Sequence, residues 1–152
     1  MRYILLFLLL PAALLIYIRV SPMSVDRWHV DPATAPRPDR PNAYLMRDGD
    51  GDAPALILPA SPAEVAIALD QLLATAPRVT RLAGSAADGH VTYVQRSRIM
   101  GFPDAISIRL SPEGDGTRVE VFSRSRFGYS DAGVNAARVT RWINRLEAAL
   151  GS

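Results

Sequence analysis

The stretch "SRSRFGYSDAGVN", residues 123–135, carries the side chains of this chain that are best suited to chemistry. Arg124 and Arg126 alternate with serines, and guanidinium groups bind phosphate or carboxylate oxygens through paired hydrogen bonds. Asp131 and Asn135 follow after a turn with two glycines. This combination predicts either an anion-binding site or a hydrogen-bonded lock between a strand and a helix.

The first interpretation depends on which face of a sheet the arginines occupy. Side chains alternate between the two faces of a strand, so pairing Leu110 with Thr117 sends one set of arginines away from the core. If a second hairpin places Met100 opposite Ala105, Arg96 and Arg98 join the same face. This surface is either an ordinary solvated sheet face or an anion-binding face for a lipid headgroup, a phosphorylated ligand or an acidic partner. Its residues are Arg96, Arg98, Arg109, Arg118, Arg124 and Arg126.

The lock interpretation assigns each residue of the turn a structural role. Gly128 ends the strand, and Ser130 or Asp131 caps the helix by accepting hydrogen bonds from its free N–H groups. Gly133 is expected to let the helix and sheet backbones approach closely. Asn135 lies one helical turn before an apolar position, so its amide faces the core and needs hydrogen-bond partners. The sequence favours a lock over a site.

The elements that position these residues are visible as apolar patterns. Ser61 and Glu64 form a capping box at the start of an amphipathic helix that ends at Pro77. The order β-α-β-β-β-β-α predicts an α+β domain, with an antiparallel sheet of four to five strands and both helices on one face. The predicted strands and the last helix are residues 55–58, 79–83, 90–100, 105–110 and 117–127, and 131–150.

The amino-terminal segment predicts a membrane anchor. No charged residue occurs from Tyr3 to Ile18, and Arg2 and Arg19 flank the run. A cleavable signal peptide is the alternative, but no small-x-small cleavage site follows. We therefore expect an anchor at 1–20, a proline-rich tether at 21–42 and a domain at 43–152, in a single-pass protein of the bacterial inner membrane. The domain is expected on the periplasmic side, although the positive-inside rule applied to Arg19 opposes this orientation.

Composition excludes several classes of function. The chain has no cysteine, so disulfides and thiolate metal sites are ruled out. His29 and His90 are too few to predict a metal centre, and the acidic stretch "RDGDGDAP" lacks the glycine and glutamate of a calcium loop. A net charge of +2 does not indicate a nucleic-acid partner. We expect neither a metal nor a cofactor.

Two stretches together resemble a known family. "SRSRFGYSDAGVNAARV", with the upstream "SRIMGFPDAISIR", resembles the bacterial family called domain of unknown function 1499, from about residue 42 to the end. The resemblance implies no activity, because the family has none assigned. Many members pair two acidic residues at the "GFPD" turn, whereas here Ala105 follows Asp104, which argues against a carboxylate dyad. The signature positions are Phe102, Asp104, Arg124, Ser125, Arg126, Gly128, Ser130, Asp131, Gly133, Asn135 and Arg138.

These observations predict a membrane-tethered, non-catalytic binding or interaction domain. Its partners would be the membrane, through the anchor, and an anionic lipid or a protein. The alternative is a binder or sensor of an anionic lipid or phosphorylated metabolite through the arginine-lined sheet face. An enzyme is less favoured, because Asp104, Glu120, Asp131 and His90 include no nucleophile–base pair.

Overall fold

The computed structural model of the chain describes residues 2–151, with side chains from Leu10 onward. It contains an antiparallel sheet of six strands and four helices among these residues. The helices are α1 (Arg2–Val20), α2 (Val25–Trp28), α3 (Pro62–Ala74) and α4 (Val134–Leu150). The strands are β1 (Ala43–Met46), β2 (Leu56–Leu58), β3 (Val79–Ser85), β4 (His90–Arg96), β5 (Pro103–Glu113) and β6 (Gly116–Ser125). The α+β prediction is confirmed, with β1 as an additional strand.

Strand order in the sheet is β1-β6-β5-β4-β3, and β2 pairs with β6 beside β1. The β5–β6 hairpin pairs Leu110 with Val119, so the predicted pairing of Leu110 with Thr117 is wrong by two positions. The cause is a tight turn, in which Glu113 pairs with Gly116 around Gly114 at φ 56°. A shift of two leaves every side chain on its predicted face.

Helices α3 and α4 cover one face of this sheet, as predicted. The capping box of Ser61 and Glu64 forms at the start of α3, with Pro62 in the first turn. Apolar side chains from both helices meet those of the central strands, and their burial supplies the main stabilisation of the fold. This core includes Val65, Leu69, Leu73, Val91, Ile106, Ile108, Val119, Val121, Val139, Trp142 and Leu146.

The second face of the sheet is covered by residues 21–42, which we call the strap. Trp28 and Ala35 of the strap are buried, and Ala35 packs with Leu45 and Phe122 of the sheet. The hydroxyl of Ser107 donates a hydrogen bond to the carbonyl of Trp28. The prediction of a proline-rich tether outside the domain is therefore wrong for this segment, which forms the second layer of the domain.

Helix α1 contacts the domain at its carboxyl end. Ile18 is buried, and the rings of Tyr17 and Phe127 meet edge-on with centroids 6.2 Å apart. Among the described residues, no helix is both long and apolar enough to cross a membrane. The predicted anchor at 1–20 includes residues 1–9, whose side chains lie outside that description.

Candidate functional site

Asn135 is the centre of a buried polar network at the start of α4. Its side chain is fully buried, which confirms that it faces the core. The amide oxygen accepts hydrogen bonds from Ser123 Oγ and Arg138 Nη1, both at 2.5 Å. The amide nitrogen donates to the carbonyl of Asn42 at 3.1 Å and to Ser125 Oγ at 3.0 Å. One side chain thus ties α4 to β6 and to the chain entering β1.

Arg138 and Asp104 form the buried ion pair of this network. The Arg138 Nη2 to Asp104 Oδ2 distance is 2.5 Å, and the side chains are 5% and 10% exposed. Arg138 Nε also donates to the side-chain oxygen of Gln95. Burial raises the pKa of the Asp104 carboxyl, and the attraction of Arg138 offsets only part of this effect. The neighbouring charge of Asp131 raises it further.

Asp131 organises the turn before α4. One carboxylate oxygen accepts from the backbone N–H of Gly133 and the other from that of Asn135, as expected of a capping side chain. Gly133 has φ 80°, and a Cβ there would meet nothing within 4 Å. The expectation of close backbone approach at Gly133 is therefore wrong. The glycine is needed for its left-handed conformation.

A cleft of about 320 Å³ opens beside this network, and we call it the loop cleft. Its lining includes six of the signature positions from the sequence. Phe102, Phe127 and Val134 supply apolar surface, and the centroids of the two phenylalanine rings lie 6.0 Å apart. Hydroxyl and carboxylate groups supply the polar part. The lining residues are Ser97, Phe102, Asp104, Ser125, Phe127, Gly128, Ser130, Asp131 and Val134.

The prediction of an uncovered arginine face is wrong, because the strap lies on it. Arg124 is the clearest case. Its guanidinium carbon lies 5.0 Å from the ring centroid of Trp28 and 4.7 Å from that of Phe122, and Nη2 donates to the carbonyl of Trp28. Its Nε is buried without a hydrogen-bond partner. Burial, with a smaller contribution from Arg27, lowers the pKa of Arg124 to about 10.

The other arginines of that predicted face are dispersed among separate contacts. Arg109 pairs with Asp31 of the strap, and Arg118 pairs with Asp48 and Glu113. Arg126 lies over the ring of Phe127 and contacts the sulfur of Met23. Arg96 donates to backbone carbonyls, and Arg98 lies exposed in the turn after β4. They do not form one anion-binding surface.

Several residues of the site are missed by the sequence interpretation. Asn42 accepts from Asn135 and donates through its own amide to the carbonyl of Gly128. Strand alternation places Ser123 on the core side correctly, but it does not show which side chain it meets. The contact of Trp28 with Arg124 is also missed. In the sequence Trp28 is a lone tryptophan among prolines, which indicates only a contact within the tether or an anchor at the membrane interface.

The two histidines come together although the sequence separates them. The rings of His29 and His90 stack with centroids 4.0 Å apart. His29 also pairs with the hydroxyl of Thr92, and His90 with the carbonyl of Val30. Burial and the neighbouring His90 lower the pKa of His29. Within the described part of the chain, no group of three or more histidine, aspartate or glutamate side chains is placed to hold a metal ion.

Fold and site together define a single-sheet α+β domain whose carboxyl-terminal helix is locked to the sheet by buried polar side chains. Residues 33–146 match the family described as Protein of unknown function (DUF1499), and the chain belongs to that family. The resemblance noted in the sequence is confirmed, and the match begins inside the strap rather than at residue 42.

Comparison with other proteins adds no function. No curated protein matches the chain. Protein CV1439 from Chromobacterium violaceum is 15% identical with a TM-score of 0.49, covering 74% of this chain and 99% of its own. Ara h 8.0201 is 11% identical with a TM-score of 0.44, covering 72% and 96%. TTHA0849 from Thermus thermophilus is 13% identical with a TM-score of 0.36, covering 71% and 96%.

Proposed function

We propose that the protein is a membrane-tethered, non-catalytic binding domain whose ligand occupies the loop cleft. The observation that carries this proposal is the convergence of six signature positions on one opening. The floor of that opening is held in place by the buried network of Asn135 and Arg138. Binding sites are commonly apolar clefts with a few fixed polar groups, and a rigid floor reduces the entropy lost on binding.

The chemistry of the loop cleft favours a small ligand with an apolar body and a positively charged or hydrogen-bond-donating end. Phe102, Phe127 and Val134 offer apolar contact. Asp104 is paired with the positive charge of Arg138, whereas Asp131 has no cationic partner among the described residues and accepts from the backbone N–H groups of Gly133 and Asn135. A primary or quaternary ammonium group on an apolar chain or ring meets these requirements.

A thermal-shift screen of the full-length chain in a non-ionic detergent tests the ligand class. Amphiphilic amines are expected to raise the melting temperature, and carboxylates of the same carbon skeleton are not. Val134→Trp fills the mouth of the cleft and is expected to abolish the shift. The matched control is Ile67→Trp, at a similarly exposed apolar position on α3. Equal shifts with amines and carboxylates, or a shift that survives Val134→Trp, would contradict the proposal.

The membrane tether rests on the sequence and is tested separately. The run from Tyr3 to Ile18 carries no charge and is flanked by Arg2 and Arg19. We expect the chain to stay in bacterial inner membranes during carbonate extraction. Alkaline phosphatase fused after Ser152 should be active, since the domain is proposed to face the periplasm. Release of the chain by carbonate would contradict the membrane tether, and an inactive fusion would contradict the periplasmic orientation of the domain.

A further inference from the structure

A second cleft, of about 330 Å³, lies where the end of α1 meets the turn after β4, and we call it the basic cleft. Four arginines from separate parts of the chain line it. A Cβ at Gly101 would lie 2.7 Å from Cγ of Arg19, so the glycine allows α1 and the turn to approach. The lining residues are Arg19, Arg78, Thr80, Arg96, Ser97, Arg98 and Gly101.

Positive charge in the basic cleft is not compensated by any of its lining residues, none of which is acidic. Arg96 ties the end of α1 to the turn after β4, because it donates hydrogen bonds to the carbonyls of Ile18, Ser21 and Gly101. Within the described residues, no carboxylate pairs with Arg19, Arg78 or Arg98, and these three side chains are exposed. Guanidinium groups gathered without counter-charge repel one another, and a bound anion relieves that repulsion.

The position of the basic cleft indicates where its anion comes from. Ile99 is 78% exposed and Met100 is 39% exposed, and both belong to the turn that carries Arg98. On the other side, α1 leaves apolar side chains such as Leu14 and Val20 exposed at 59% and 68%. Exposed apolar residues next to arginines are typical of a surface that meets the headgroup region of a bilayer.

We propose that the basic cleft binds the phosphate of an anionic phospholipid headgroup, while Ile99 and Met100 insert among the lipid chains. This inference rests on the proposed membrane tether, which brings the cleft to the bilayer surface. Arg78 and Arg98 contact the phosphate oxygens through paired N–H donors. The ligand of the loop cleft is a different molecule, because that cleft carries carboxylates instead of arginines.

Native mass spectrometry of the detergent-solubilised full-length chain tests this site. Short-chain phosphatidylglycerol is expected to bind roughly tenfold or more tightly than phosphatidylcholine of the same chain length, because the choline ammonium cancels the phosphate charge that the arginines attract. The double variant Arg78→Gln with Arg98→Gln should lose this preference. The matched control, Arg141→Gln with Arg145→Gln, removes the same charge from exposed positions on α4 and should keep it.

Two further arms identify the source of the phosphate. Ile99→Ser should weaken phosphatidylglycerol binding severalfold and leave glycerol phosphate binding unchanged, whereas Ile67→Ser should change neither. Equal affinity for glycerol phosphate and phosphatidylglycerol would overturn the lipid assignment, and phosphatidylglycerol binding that survives the double variant would overturn the site. Carbonate extraction reports on the tether independently, because headgroup preference in detergent requires no membrane insertion.

Discussion

Replacing Asn135 by alanine is the most direct test of the buried lock. The amide accepts from Ser123 and Arg138 and donates to Asn42 and Ser125. Without it, the Ser123 hydroxyl hydrogen loses its acceptor in a buried site, which costs about 1–3 kcal/mol. Arg138 loses one charge-assisted hydrogen bond, worth about 1.5–3 kcal/mol. We therefore expect Asn135→Ala to lower the free energy of unfolding by about 3–5 kcal/mol.

Urea denaturation of the full-length chain in a non-ionic detergent, followed by tryptophan fluorescence, measures this loss. Trp28 and Trp142 lie on opposite faces of the sheet, so the fluorescence follows both layers. The melting temperature should fall by roughly 6–20 °C, at about 2–4 °C per kcal/mol for a chain of this size. Asn144→Ala is the control, because Asn144 is exposed on the same helix and its loss should change stability by less than about 0.5 kcal/mol.

A small effect would refute the reasoning. If Asn135→Ala and Asn144→Ala destabilise the chain by the same amount, the buried hydrogen bonds of Asn135 do not hold α4 to the sheet. The loop cleft would then lack a rigid floor, and the support for ligand binding there would be lost as well.

Three further changes test the strap and its contacts. Trp28→Ala should lower the free energy of unfolding in urea by about 3–5 kcal/mol, whereas Val25→Ala, at an exposed position, should lower it little. Equal losses would contradict the burial of Trp28 under the strap's contact with the sheet. Burial lowers the pKa of His29 in the folded chain. As the pH falls, the unfolded chain therefore binds a proton at this histidine at a higher pH than the folded chain does. The free energy of unfolding should thus decrease as pH falls below about 6.5, and His29→Gln should reduce this decrease; an unchanged pH profile would exclude the histidine. A fragment of residues 43–152 should melt well below one of 22–152, and equal melting would show that the strap is dispensable.

Local signals in the sequence predict much of the fold. The capping box at Ser61 and the apolar spacing of α3 and α4 depend on neighbours within a few positions, which a single sequence displays. Strand alternation likewise places Ser123 on the core side, and helical spacing does the same for Asn135. The hairpin register is missed because turn length cannot be read from "SPEGDG", where a two-residue turn competes with longer ones.

Contacts between distant segments are the part that the sequence conceals. The strap has no apolar periodicity, and its prolines indicate an extended chain. Its docking depends on Trp28 meeting Arg124 and on Ala35 meeting Phe122, both far along the chain. The sequence therefore places Arg124 in solvent, although it lies between two aromatic rings. The loop cleft is equally hidden, since Phe102 and Val134 come to line one opening only in the folded domain.

Strand order also determines when this domain can form during synthesis. Strands β1 and β2 leave the ribosome early, yet both hydrogen-bond to β6, the last strand to be made. At about 5–20 residues per second, β1 remains unpaired for several seconds while the rest of the sheet is translated. The strap cannot dock on the sheet before then either, because its contacts Phe122 and Arg124 belong to β6. The sheet therefore cannot close until β6 has been made, and a nascent chain arrested before residue 116 should be open to proteases at β1 and β2.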